Sequence, residues 1–131
     1  MEDRAMLKRI FAATAVLALV ALPLAAQAGK AAAPGKDVTI TGQVIDINCY
    51  TTMGASGEGH KMCAQACAKA GVALAILSND GTIYMPVSSK PADPQNSRLV
   101  DFSEAKVKVT GVHRMEHGLH TIEIKTISAA S

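Results

Sequence analysis

The amino-acid sequence predicts a mainly β domain: a small five-stranded barrel with one helix inserted after the first strand. Three observations carry this. Five short apolar runs of strand character fall within about 100 residues. Two hairpin signals, Asn79-Asp80-Gly81 and Glu116-His117-Gly118, separate four of those runs in pairs. A single stretch, Glu58 to Ala70, has helical spacing and a glycine, Gly71, placed to end it.

The elements follow in order. Val38 to Cys49 alternates apolar and polar through Val38, Ile40 and Gly42, then slips phase at Val44, Ile45 and Ile47. A glycine at a phase slip predicts a bulge that bends a long first strand, as barrel closure requires. Thr51 to Gly59 is polar and glycine-rich and reads as a loop, with Ser56 as an expected helix cap and Glu58 in the first turn, where the helix dipole favours an acid. In the helix, Lys61, Gln65 and Lys69 define the wet face, so the opposite face, between Cys63 and Cys67, is the buried one. Val72 to Leu77 and Thr82 to Val87 form a hairpin around the Asn-Asp-Gly turn. Ser88 to Ser97, with Pro91 and Pro94, is a surface loop, and Arg98 to Ala105 a short helical turn that brings Leu99, Val100 and Phe102 to the core. Lys106 to Val112 and Leu119 to Ile127 close the sheet through a three-residue turn with Gly118 left-handed. Five strands, a bent first strand and closing hairpins together predict a barrel of the oligonucleotide/oligosaccharide-binding (OB) type.

The first 28 residues are set apart. Lys8 and Arg9 precede an apolar run from Ile10 to Leu24, and Ala26-Gln27-Ala28 supplies the small residues a signal peptidase accepts, so residues 1–28 read as a secretory signal. The run is shorter than the roughly 20 residues that span a bilayer, and no second one follows, so no membrane span is expected after cleavage. Residues 29–36 read as a disordered lead-in and 37–131 as one domain. The remaining 103 residues hold ten Lys and Arg against nine Asp and Glu, with two Tyr, one Phe and no Trp. That balance lacks the basic stripe and aromatic platforms of nucleic-acid binding, so nucleic acid is excluded as a partner.

Export decides how the three cysteines are read, because oxidising compartments pair exposed thiols, and an odd count leaves one over. At about 100° per residue, His60, Cys63 and Cys67 fall within an arc of roughly 60° on the helix. With Cys49 upstream they supply a Cys₃His set for a transition metal: Zn²⁺ in a closed tetrahedral site, or copper, to which Met53 or Met62 can add a thioether. The alternative is a disulfide from Cys49 to Cys63 or Cys67 that staples the helix to the barrel, leaving an interaction module for a ligand or an envelope protein. Asp46 and Tyr50 flank Cys49, and Asp46 is the expected acceptor that orients His60. His113, His117 and His120, around the last hairpin, form a secondary candidate cluster for copper or zinc. No nucleophile elbow, zinc-protease helix or phosphate-cradling loop is present, so the reading is non-enzymatic.

Gly42, Val44, Asp46, Cys49 and Tyr50, then His60, Cys63, Ala64, Cys67 and Ala68, then Val107, Val109 and Gly111 make up a pattern of Gly-x-Val-x-Asp-x-x-Cys-Tyr, His-x-x-Cys-Ala-x-x-Cys-Ala and Val-x-Val-x-Gly. In this the chain resembles small exported bacterial OB-fold-like proteins over most of the domain. The resemblance implies the architecture and assigns no activity.

Overall fold

The computed structural model describes residues 32–131; the expected signal and the first residues of the lead-in lie outside the described residues. Five strands close into a barrel: β1 (Lys36–Asp46), β2 (Leu74–Ser78), β3 (Ile83–Val87), β4 (Lys106–Glu116) and β5 (Leu119–Ala129), in the spatial order β1-β2-β3-β5-β4. All neighbours are antiparallel except β3 and β5, where Met85, Pro86 and Val87 run parallel to Thr121, Ile122 and Glu123. The expected five-stranded barrel is therefore the observed one. Among the described residues no helix is long and apolar enough to cross a membrane.

β1 holds the barrel together because it pairs with two strands in succession. Lys36 to Gln43 pairs with β4, Gly42 to Asp46 with β2, and both ladders run without a register shift. The bulge expected near Gly42 is not there. Val44 and Ile45 are both fully buried because both faces of the strand's end are covered: Val44 points into the barrel core, while the following helices pack on β1. Gly42 serves a different need, since a Cβ there would stand 2.3 Å from the Leu77 carbonyl oxygen. The irregularity lies instead between Thr110 and Gly111 of β4, where a Cβ on Gly111 would meet the Glu123 oxygen at 2.4 Å. The last turn is also tighter than expected: Glu116 pairs with Leu119, and the two residues between, His117 and Gly118, both have positive φ, 51° and 85°. That is the handedness of a two-residue hairpin turn matched to strand twist.

Between β1 and β2 the chain forms two helices, where the sequence predicts one. The first, α1 (Ile47–Met53), replaces the predicted end of the strand; the second, α2 (Lys61–Lys69), is entered through a 3₁₀ turn at Glu58–His60. Asp46 makes the switch, its carboxylate accepting the Cys49 amide at 3.0 Å and capping α1. Ile47 continues the apolar pattern, which is why the periodicity reads on as strand. Ser56 does not cap α2; the residue before the 3₁₀ turn is Gly57.

The core lies inside the barrel, with Val44, Leu74, Ile76, Val107, Val109 and Ile122 at its centre. A short helix α3 (Asn96–Leu99) and the 3₁₀ turn Val100–Phe102 seal one end, with Leu99 fully buried. Asn96 ties this seal to α2. Its side-chain amide donates to the Ala68 and Val72 carbonyls (3.0 and 2.7 Å), and its oxygen accepts the Leu74 amide (3.0 Å). The helix that carries two of the cysteines is thus anchored at its C-terminal end by side-chain hydrogen bonds from Asn96.

The β2–β3 turn yields a pH-dependent prediction. Asp80 accepts from the Ser78 hydroxyl and from the Thr82 amide (2.9 Å), and these bonds, Ser78 first, lower its pKa to about 2 from an ordinary 3.8. A depressed carboxyl stabilises the fold above its unfolded pKa, and that contribution is lost as pH falls through the folded one. Asp80→Ala should therefore lower the urea midpoint at neutral pH, and the gap from the wild type should close between about pH 4 and about pH 2. Equal gaps at both ends of that range would show that the charge contributes nothing.

Candidate metal centre

The three cysteines converge. The sulfurs of Cys49 in α1 and of Cys63 and Cys67 in α2 all lie within 4.8 Å of one another, and all three are free thiols. Their exposure is graded: Cys49 is buried, Cys67 half-buried and Cys63 exposed. One turn of α2 accounts for Cys63 and Cys67 sharing a face. Cys49 joins them because Asp46 turns the chain into α1 three residues before it; on a continued strand its side chain would have been carried past the helix.

Asp46 is fully buried at the edge of this group. Its Oδ1 holds the Cys49 amide, and its Oδ2 has no hydrogen-bond partner. Burial works to raise its pKa, but the backbone bond from Cys49 and then the Cys67 and Cys49 thiols outweigh it and hold the carboxyl below the usual range. The effect on the thiols is reciprocal. Hydrogen bonding to Asp46, then burial and the surrounding charges, push the Cys67 thiol up to about 12, and burial followed by the Asp46 charge raises Cys49. Cys49 and Cys67 are thus held as thiols beside a carboxylate, which is not the state of a reactive nucleophile.

His60 takes its orientation from a residue that the sequence did not single out. Its Nδ1 lies 2.9 Å from Oε1 of Glu104, not against Asp46. Glu104 is itself buried, and its Oε2 accepts from the Gln43 side-chain amide (2.8 Å) and the Gly57 backbone amide (2.7 Å). Facing a carboxylate oxygen, which can only accept, Nδ1 is the donating nitrogen, and Nε2 is the one left over. That nitrogen is buried without a hydrogen-bond partner. A histidine fixed by a carboxylate through one nitrogen, with the other left unpartnered, has the usual second-sphere arrangement of a metal-binding imidazole. His60 is not part of the group whose donor atoms all fall within 4.8 Å of one another; that group is the three sulfurs.

Glu104 sits near the end of the segment, Arg98 to Ala105, that the sequence reads as a short helical turn. It has φ 61°, a left-handed conformation that costs a non-glycine residue about 1–2 kcal/mol and that its three accepted hydrogen bonds offset. Its amide also donates to the Val44 carbonyl at 2.8 Å, fastening the turn to β1. Nothing local distinguishes it in the sequence from Asp101, the other acid of that segment. Tyr50, half-buried in α1, takes part through its backbone, its carbonyl accepting the Gly54 amide at 2.9 Å.

Of the secondary cluster, the fold brings together two members of three. His113 Nε2 and His120 Nδ1 are 3.0 Å apart, and the edge of Tyr84 meets both rings. His117 stays exposed in the hairpin turn. No protein-family model, no curated protein and no solved structure matches the chain.

Replacing Glu104 tests this network. Glu104→Gln keeps the shape but sets an amide against Nδ1, and should cost about 1–3 kcal/mol in chemical unfolding. In ¹⁵N spectra the wild-type His60 ring should be the Nδ1-protonated tautomer and the variant a mixture; an Nε2-protonated wild-type ring would contradict the assignment.

Proposed function

We propose that this chain is a non-enzymatic domain, exported to the periplasm, that binds one transition-metal ion through Cys49, Cys63, Cys67 and His60, with Zn²⁺ as the best fit. The observation that carries the proposal is the mutual approach of three sulfurs to within 4.8 Å. Three thiolates and one imidazole are the donor set of a closed tetrahedral zinc site, and Glu104 would hold the imidazole as metal-bound histidines are commonly held. The buried Asp46 charge favours a divalent over a monovalent ion, since three thiolates beside a carboxylate leave more negative charge than Cu(I) can offset. An ion there would supply the charge that lets Cys49 and Cys67 ionise against burial and the hydrogen bonding and charge of Asp46. Exposed Cys63, with exposed Met62 beside it, is the side from which an ion would enter or leave. The apolar run and small-residue site of the first 28 residues support the location.

Protein purified from periplasm should carry close to one zinc per chain, with three thiols that react only after chelation. His60→Ala should weaken zinc binding about 10–100-fold, and apparent affinity should rise with pH, because each thiol must shed its proton to bind. An intact mass lower by two protons, with no metal, would overturn the proposal in favour of a disulfide-stapled interaction module.

A further inference from the structure

The opposite pole of the barrel carries a second donor set of different chemistry. β4 and β5 extend beyond the core as a hairpin, and its inward face continues the row of Ile122 and Ile124. His113 pairs across from Ile122, and Met115 pairs across from His120, so His113, Met115 and His120 share that face. Directly opposed cross-strand side chains have Cβ atoms about 4.5–5.5 Å apart, which sets the Met115 thioether beside the His120 ring. Met115 is 56% exposed, and both imidazoles are half-buried.

The two rings have a distinctive relation. They are within 8° of parallel, with centroids 5.1 Å apart and a nitrogen of each 3.0 Å from the other. A centroid separation only about two ring radii longer than the N···N contact means that the imidazoles lie edge to edge, each nitrogen directed at the other. One nitrogen donates and the other accepts. Tyr84 meets both rings edge-on at 5.3 and 5.5 Å and fixes their plane from β3.

From this juxtaposition we propose that His113, His120 and Met115 form a second metal site, at the mouth of the barrel, that takes a monovalent d¹⁰ ion, Cu(I). It is independent of the thiol cluster: β1 runs from Lys36, paired with His113, to Asp46 at the cysteines, about 30 Å along the strand. Two neutral imidazole nitrogens and a thioether are a soft-to-borderline set. Nitrogens directed at one another along one axis suit an ion of low coordination number, inserted as the rings part, with the thioether approaching from the side. The donating ring moves its proton to its other nitrogen, so both rings stay neutral and each offers a lone pair. Charge points the same way. Among the described residues no acid shares this face: the neighbouring positions are Lys36 and Val38 on β1 and Tyr84 and Pro86 on β3. The Lys36 ammonium, beside His113, disfavours a divalent ion more than a monovalent one.

The test uses Ag⁺ as a diamagnetic stand-in for Cu(I), titrated into protein with ¹⁵N-labelled histidine and ¹³C-methyl methionine. In a Cys49→Ser, Cys63→Ser, Cys67→Ser variant, one equivalent should shift the Met115 methyl and the facing nitrogens of His113 and His120, leaving His117, Met53 and Met62 in place. His113→Ala or Met115→Leu in that background should weaken binding tenfold or more, and anaerobic Cu(I) competition against a chromophoric chelator should rank the variants in the same order. Where the triple variant does not fold, the same signals should move in the wild type once the thiols are saturated. Equal shifts at His117 and the exposed methionines, or unchanged affinity in Met115→Leu, would overturn the site.

Discussion

The buried carboxylate of Asp46 is the constraint on which the site depends. It ends the first strand, caps the first helix through the Cys49 amide, and stands beside two of the three thiols. A charge taken out of water is costly unless its bonding capacity is met, and here one oxygen is left without a partner. A carboxylate among three thiols opposes their ionisation until a cation supplies the compensating charge. The arrangement makes chemical sense as a binding site and little as packing, for which an Asn or Ser would cap the helix as well.

Glu104 complements it from the far side of the loop. Three donors from β1, from the turn before α2 and from His60 meet on one carboxylate. The residue adopts a left-handed backbone to reach them. The helix carrying Cys63 and Cys67 is held at its start by this network and at its end by Asn96, so its thiol face has little freedom to turn away from Cys49.

Much of this was legible in the sequence, for reasons that are local. Alternation gave the strands, Asn-Asp-Gly placed the first hairpin, and spacings of three and four put His60, Cys63 and Cys67 on one side of a helix. What escaped depends on contacts distant in sequence. Ile47 extends an apolar alternation, so nothing nearby announces that Asp46 will cap a helix there. Glu104 is 44 residues from the histidine it holds. The bulge at Gly111 is set by the approach of β5, and the partnership of Met115 with His120 depends on a turn one residue tighter than the hairpin pattern suggested. Asp46 and His60 both lie near Cys49 in sequence, but in space the acid belongs to the thiols and the histidine to Glu104.

The two poles of the barrel thus present unlike environments: sulfur-rich and anionic at one, nitrogen-rich, neutral and close to a lysine at the other. The account rests most heavily on the first, and X-ray absorption at the zinc edge of the loaded protein tests it most directly. It predicts three sulfur neighbours at about 2.3 Å and one nitrogen at about 2.0–2.1 Å. A shell of nitrogen and oxygen alone, or of two sulfurs at most, would contradict it.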